Sequence, residues 1–380
     1  MIVAQAYLRL REERRRRESF GEDQMSKTGY FHRVQAQTPT RFWINNPSRD
    51  EADWAVAQGA VGCTCNPSFC QKMIDHPSEG EYAKGLLDEA VRESANDDEA
   101  EAILQRKLVK AIAVKFLAIY EKSSGQDGHV SIQGDPIHED DPTVVINEAR
   151  LNGEVGPNIA IKIPTTVAGL KAMETLVAEG YTINATEIMG IRQALDACEI
   201  HDRVSKQTGK SPKLYLSHIT GIYDEYLKQV VSENEIDISP DTLWQAGLAV
   251  ARKLYATMKE RDFNATFVGG GARGLQHFTE MVGGDVVVTI NWAGTADTLL
   301  EQDPPVVFRL FNPVEQYVID ELMAKLPDFK RGYLDDGLRP EEYEDFGPVV
   351  LFRDTFVTSW KRVLDLIRER RQVSRLGRDV

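Results

Sequence analysis

Lys162 is the side chain with the most chemistry to offer. It lies in Ala160-Ile161-Lys162-Ile163-Pro164, with an isoleucine on each side. That alternation is the pattern of a strand, and a cation held among apolar neighbours is costly unless it is paired or neutral. Burial lowers an amine's pKa, and a neutral amine attacks a carbonyl carbon to form a Schiff base. The same pattern also fits an edge-strand lysine whose amine reaches solvent, and it does not separate the two. Around this lysine, other apolar segments end in hydroxyls and amides: Asn45, Thr64 with Asn66, Gln133, Thr186 and Ser217. Singly these are ordinary loop and cap residues. Together they describe a polar, nearly uncharged ring suited to a polyhydroxylated ligand, because each sugar hydroxyl both donates and accepts. No cluster rich in His or carboxylate has the spacing of a metal site, so no metal is expected. A glycine run, Gly269-Gly270-Gly271-Ala272-Arg273-Gly274, follows a later apolar segment. It reads as a backbone cradle for phosphate or another anion, with Arg273 adding a contact, or as a flexible turn bearing an exposed arginine.

The elements that must position these residues alternate. Short apolar segments at Phe42–Asn45, Ala60–Thr64, His129–Gln133, Asn158–Ile163, Thr182–Thr186, Lys213–Ser217, Ala265–Val268 and Asp285–Ile290 are separated by stretches of helical period. The clearest helical stretches are Asp88–Tyr120, Thr166–Glu179, Met189–Cys198 and Pro240–Arg261. Eight strands alternating with helices predict an α/β fold, a (β/α)8 TIM barrel, whose chemistry sits at the C-terminal strand ends. Pro240 suits the first turn of a helix, and Gly180 suits a left-handed cap after Glu179. Residues 1–40 read as an N-terminal helical arm, with a helix near Ala6–Ser19. Residues 41–295 read as the catalytic barrel. Residues 296–380 read as a C-terminal helical extension packing on it, with helices at Asn312–Lys325 and Phe356–Arg371 and a surface loop between them.

Composition narrows the function classes. The 380 residues are 42% hydrophobic and 27% charged, an ordinary globular balance. A net charge of -14 repels a phosphate backbone, so nucleic acid is not an expected partner. The basic run Arg14–Arg17 sits beside Glu12, Glu13 and Glu18 and reads as a salt-bridged helix. No apolar stretch is long enough to span a membrane, and no signal-like core opens the chain, so a cytoplasmic setting is expected. Cys63, Cys65 and Cys70 lie close together without zinc spacing and read as buried free thiols of a reducing compartment.

Three segments, in order, carry a resemblance. Gly62-Cys63-Thr64-Cys65-Asn66-Pro67-Ser68, then Ile159–Thr166 with Gly169-Leu170, then Glu179–Thr186 ending in Gln193-Ala194, resemble the signature segments of transaldolases. The match in order and spacing runs over roughly residues 41–295. The resemblance implies an enzyme that moves a three-carbon dihydroxyacetone unit between sugar phosphates, with no metal and no organic cofactor. By motif position, Lys162 would form the Schiff base, Asn66 and Ser217 would hold donor hydroxyls, and Thr186 would position a water. Thr64, Thr166 and Asn184 would be further substrate-binding positions, and Arg273 would be one of two arginines gripping phosphate. The expected partner is a small sugar or sugar phosphate; a homo-oligomer stays open.

Three positions depart from that pattern. Asn45 stands where the family has an acid/base aspartate, and an amide does not exchange a proton at neutral pH. Gln133 stands where a glutamate activates water, although related fructose-6-phosphate aldolases also carry glutamine there. Ile222 stands where the second phosphate arginine belongs. Glu187 and His218 are candidates to compensate, but strand alternation should turn both away from the lumen, Glu187 towards the helices. Tyr215 and Tyr223 are further candidates. The departures leave open a direct aldolase, an altered sugar substrate, or an inactive sugar-binding homologue.

Overall fold

A computed structural model describes residues 29–376. Eight parallel strands form a closed barrel in sequence order: β1 (Arg41–Asn45), β2 (Cys63–Cys65), β3 (Val130–Gln133), β4 (Ile159–Pro164), β5 (Ile183–Ile188), β6 (Leu214–His218), β7 (Thr266–Gly269) and β8 (Val286–Ile290). β1 pairs with β8, from Arg41 against Val287 to Ile44 against Ile290, which closes the ring. The architecture is the expected (β/α)8 barrel, and every expected strand is present within a few residues of its anticipated bounds.

Alternation along the strands sorts the side chains. Ile132, Ile161, Ile163, Ile183, Ala185, Leu214 and Leu216 are buried in the large core between strands and helices. Trp43, Tyr215, Val268 and Val287 form a separate cluster that fills the barrel interior. Above this plug the lumen turns polar, with Thr64, Ser131, Gln133, Lys162, Asn184 and Ser217 all buried.

Local signals explain several helix bounds. Thr166 caps Val167–Glu179 by accepting from Gly169 N, and Gly180 ends it at φ +98°, the left-handed cap expected there. Ser239 caps the short helix Pro240–Trp244, with Pro240 in its first turn as expected. Two long helices expected from periodicity are interrupted. Gly80–Glu93 and Asp97–Lys122 are separate because Ser94 is extended and Asn96 caps the second by accepting from Glu99 N. The Pro240–Arg261 stretch breaks at Gln245, and the second helix runs Ala246–Glu260.

Both ends of the described chain pack on the barrel. The helix Tyr30–Gln37 buries Tyr30, Phe31 and Val34, with Phe31 stacked on Phe42 at 4.1 Å between ring centres. The anticipated Ala6–Ser19 helix and Arg14–Arg17 lie outside the described residues. The segment between Lys325 and Phe356 is not one loop. It contains the helix Pro327–Tyr333, a short 3-10 turn at Pro340–Glu342, and the start of the last helix, Gly347–Leu376. Pro348 lies just inside that helix, where a missing N–H is harmless, so the helix begins well before Phe356. It packs on Phe69–Asp75, Gly80–Glu93, Asp97–Lys122, Thr220–Glu233 and β5.

Candidate active site

Lys162 is 6% exposed and points to the lumen beside its register neighbours, Gln133 on β3 and Asn184 on β5. Its Nζ donates to Gln133 Oε1 at 3.0 Å. Phe356 and Phe352 of the last helix lie over the amine, with ring centres 5.5 and 5.9 Å from Nζ. Burial lowers the Lys162 pKa to about 8, against the opposing pull of nearby Glu187. An amine so placed keeps a far larger neutral fraction near physiological pH than a lysine in water, and the neutral form is the one that attacks a carbonyl. The edge-strand alternative does not hold, since β4 is flanked by β3 and β5.

Glu187 does not face the helix layer as strand alternation predicts. β5 carries a bulge: Ala185 pairs with Leu216, but Ile188 pairs with His218, so β5 has one residue more than β6 across that interval. Glu187 is the extra residue, with a left-handed φ of +58°. Such a backbone costs about 1–2 kcal/mol for a residue with a side chain. The bulge turns the carboxyl to the Gln133 side, where Gln133 Nε2 donates to Glu187 Oε1 at 2.9 Å. Gln133 therefore bridges Lys162 and Glu187. Gln193 holds the bulge in place: its Nε2 donates to the carbonyls of Thr165 and Glu187, and its Oε1 accepts from the N–H groups of Met189 and Gly190. Burial raises the Glu187 pKa, opposed by the Gln133 hydrogen bond and by the charges of Lys162 and Arg353.

A second carboxyl lies close by. Glu139, on the loop after β3, is 6% exposed, and its oxygens have no hydrogen-bond partner among the described residues. Burial, and then the charge of Glu187, push its pKa well above the carboxylate range. Glu139, Gly134, Asp135 and Glu148 line a small cavity with Lys162 and Pro164.

The amides and hydroxyls form three networks. Asn45 Nδ2 donates to Asn291 Oδ1 at 2.9 Å, and Asn45 Oδ1 accepts from Thr64 Oγ1 at 2.8 Å. Thr64 in turn lies 2.8 Å from Thr289 Oγ1. On the other side Ser217 donates to Asn184, and Asn184 donates to Ser131. Asn66 is locked to Asn46 by paired amide contacts, with Asn46 at φ +45°. The Thr186 hydroxyl is buried without a partner among the described residues.

Other residues are engaged elsewhere. The Thr166 hydroxyl is used by its helix cap. Arg273 is about half-exposed and bonds Glu225 through Nε at 2.6 Å. Ile222 is buried against the Gly271 turn. His218 does face outward as alternation predicts: its ring lies by Phe267 and Tyr223, Nδ1 contacts Thr220, and burial lowers its pKa to about 3. Tyr215 belongs to the interior plug and bonds His129, while Tyr223 donates to the Asp328 carbonyl. All four cysteines are free and buried.

Asp98, Asp135 and His138 bring three potential ligand atoms within 4.8 Å of one another, a grouping the sequence did not suggest. His138 Nδ1 already meets Asp135 Oδ2 at 2.6 Å and is exposed. Among the described residues no helix is long and apolar enough to cross a membrane.

Sequence reasoning missed Glu139, Asn46, Asn291, Thr289, Phe352 and Phe356. Two adjacent asparagines at a strand end were a usable signal for Asn46. The pairing of Phe352 and Phe356 at helical spacing was a signal for one apolar helix face.

Comparison with known proteins gives the relatives of the chain. The transaldolase of Mycobacterium tuberculosis (strain ATCC 25618 / H37Rv) is 29% identical over 236 residues, covering 57% of this chain and 61% of that protein. The transaldolase of Mycobacterium leprae (strain Br4923) is 28% identical over 282 residues, covering 68% and 71%. That of Thermobifida fusca (strain YX) is 27% identical over 236 residues, covering 57% and 62%. The match thus spans less than two thirds of the length of the first of these relatives. The family model for transaldolase/fructose-6-phosphate aldolase matches residues 42–330. With a closed barrel, a shielded lysine on β4 and that match over more than half its length, the chain belongs to the transaldolase/fructose-6-phosphate aldolase family.

Proposed function

We propose that the protein transfers a dihydroxyacetone unit between sugar phosphates through a Schiff base on Lys162. The observation that carries this reading is the amine itself, buried, hydrogen-bonded to Gln133 and held near pKa 8. The amine adds to the ketose carbonyl and loses water to give an imine. The protonated imine then accepts the electron pair released when the C3–C4 bond breaks. Asn66, Ser217 and Asn184 are suited to the donor hydroxyls, and the unpartnered Thr186 hydroxyl to a water. In this reading residues 41–295 are the catalytic barrel and 296–380 an extension packing on it. Borohydride reduction in the presence of fructose 6-phosphate and a panel of ketoses, read by mass spectrometry, tests it. A reduced adduct on Lys162 is expected; no adduct with any ketose overturns the reading.

Gln133 favours a second outcome from the same imine, direct aldol cleavage. Without a carboxylate at that position the aldolase-type environment is approached. Release of free dihydroxyacetone without an acceptor would select cleavage. Product formation only with an acceptor aldose would select transfer.

A further inference from the structure

Any carbon–carbon cleavage on a Lys162 imine needs a group to take the proton from the C4 hydroxyl, and neither Asn45 nor Gln133 has an exchangeable acid. We propose that Glu187 is this acid/base, brought into the barrel lumen by the β5 bulge. The inference rests on the imine reading above.

Four observations carry it. Glu187 is fully buried, yet it is attached to the lysine's own partner: Gln133 holds Lys162 through Oε1 and Glu187 through Nε2. Only one carboxylate oxygen is engaged, and Oε2 is buried without a partner among the described residues. Its neighbour in sequence, the Thr186 hydroxyl, is likewise unpartnered. Finally, the backbone is held in a left-handed turn by the side chain of Gln193. A strained conformation that a fully buried amide holds in place is the kind of feature that persists where the aim of a side chain matters. The charged groups acting on Glu187 come from three elements: Lys162 on β4, Glu139 on the loop after β3, and Arg353 on the last helix.

The step balances as follows. Glu187 Oε2, as carboxylate, takes the proton of the C4 hydroxyl. The C4–O electrons form the aldehyde carbonyl, and the C3–C4 bond breaks. Its electron pair passes to C3=C2, and the imine π pair settles on nitrogen, giving the neutral enamine. In the transfer direction the enamine carbon attacks the acceptor aldehyde, and the Glu187 acid returns its proton to the new alkoxide.

The test is Glu187→Gln, which keeps the shape and the hydrogen-bonding oxygen that Gln133 uses. Trapped ketose adduct on Lys162 and turnover are measured in parallel, each across pH. The expected result is an adduct formed at or above the wild-type rate at each pH, with turnover lower by roughly 10²–10⁴-fold; the acidic limb set by protonation of Lys162 remains in both profiles. Turnover within a few-fold of wild type overturns the proposal while leaving the imine reading standing. A parallel fall of adduct and turnover also overturns it, because that pattern assigns Glu187 to positioning Gln133 and Lys162. Absence of any adduct in the wild-type protein is the separate failure of the imine reading.

Discussion

Replacing Lys162 should make the protein more stable at neutral pH and less stable at high pH. In water a lysine amine titrates near 10.5; here burial holds it at about 8. Each pH unit between those values is worth about 1.4 kcal/mol, so protonated Lys162 costs the folded state roughly 3 kcal/mol at pH 7. Lys162→Met removes that cost and keeps most of the apolar stem. It also strands Gln133 Oε1, and an unpaired buried acceptor costs about 1–3 kcal/mol. The variant should therefore be more stable than wild type by up to about 2 kcal/mol at pH 7. The sign of the pH dependence follows from proton uptake. Between pH 8 and 10.5 the unfolded lysine still holds its proton while the folded one has lost it, so wild-type stability rises with pH. By pH 10.5 the balance should reverse, leaving the variant less stable by about 1–3 kcal/mol, the cost of the unpaired amide. Urea unfolding of both proteins at intervals from pH 7 to 10.5 measures the difference directly. Comparing them in a Glu187→Gln background removes the titration of the neighbouring carboxyl, which the lysine's charge influences. A wild-type-minus-variant difference that stays constant across that range would refute the claim that the amine is desolvated.

Two further outcomes follow from the same electrostatics. Opening the cover by Phe352→Ala with Phe356→Ala should rehydrate the amine and move its pKa up towards 10.5. Adduct formation at pH 7.5 should then fall by about tenfold or more and recover as pH is raised, a shift visible in trapping rates against pH. Glu101 is fully buried with both oxygens unpaired among the described residues, and burial raises its pKa to about 10. Its contribution to stability is complete below about pH 4.5 and is lost as pH rises towards 10. Glu101→Gln should therefore gain roughly 2–4 kcal/mol relative to wild type between pH 5 and pH 8, read by chemical unfolding.

The barrel was legible because its signal is repeated eight times. Each strand is a short apolar segment followed by a helical stretch, and the errors are local. Asp88–Tyr120 has unbroken helical periodicity, but Ser94 and Asn96 turn the backbone and cap a new helix, which periodicity does not register. The last helix reads from Phe356 because Gly347-Pro348 resembles loop sequence. A proline in the first turn is nevertheless compatible with a helix, and the earlier start places Phe352 and Arg353 on it. The isoleucine flanks marked the lysine as a candidate but fitted an edge-strand lysine equally well, and the resemblance of Ile159–Thr166 to the transaldolase lysine segment pointed to the buried one. Its cover was not legible, because Phe352 and Phe356 are nearly two hundred residues away in sequence, and only packing of the last helix across the mouth brings them to the amine.

Glu187 shows why the site is harder to read than the fold. Period-two alternation decides which side of a sheet a residue faces, and one inserted residue reverses that decision for everything it touches. The insertion is anchored by Gln193, whose contacts to Thr165, Glu187, Met189 and Gly190 depend on tertiary structure. Once the carboxyl is inside, burial acts on it and on Lys162 in opposite directions: the amine's pKa falls and those of Glu187 and Glu139 rise. Each is driven towards its neutral form. Moving an acid's pKa up and a base's down narrows the gap between them, which lowers the driving force against proton exchange. Asn45 and Gln133 offer no exchangeable proton at two lumen positions, and the bulge brings one carboxyl to the lysine's own partner. Proton-exchange capacity that the amides at the β1 and β3 ends lack is available at the β5 end within the same barrel.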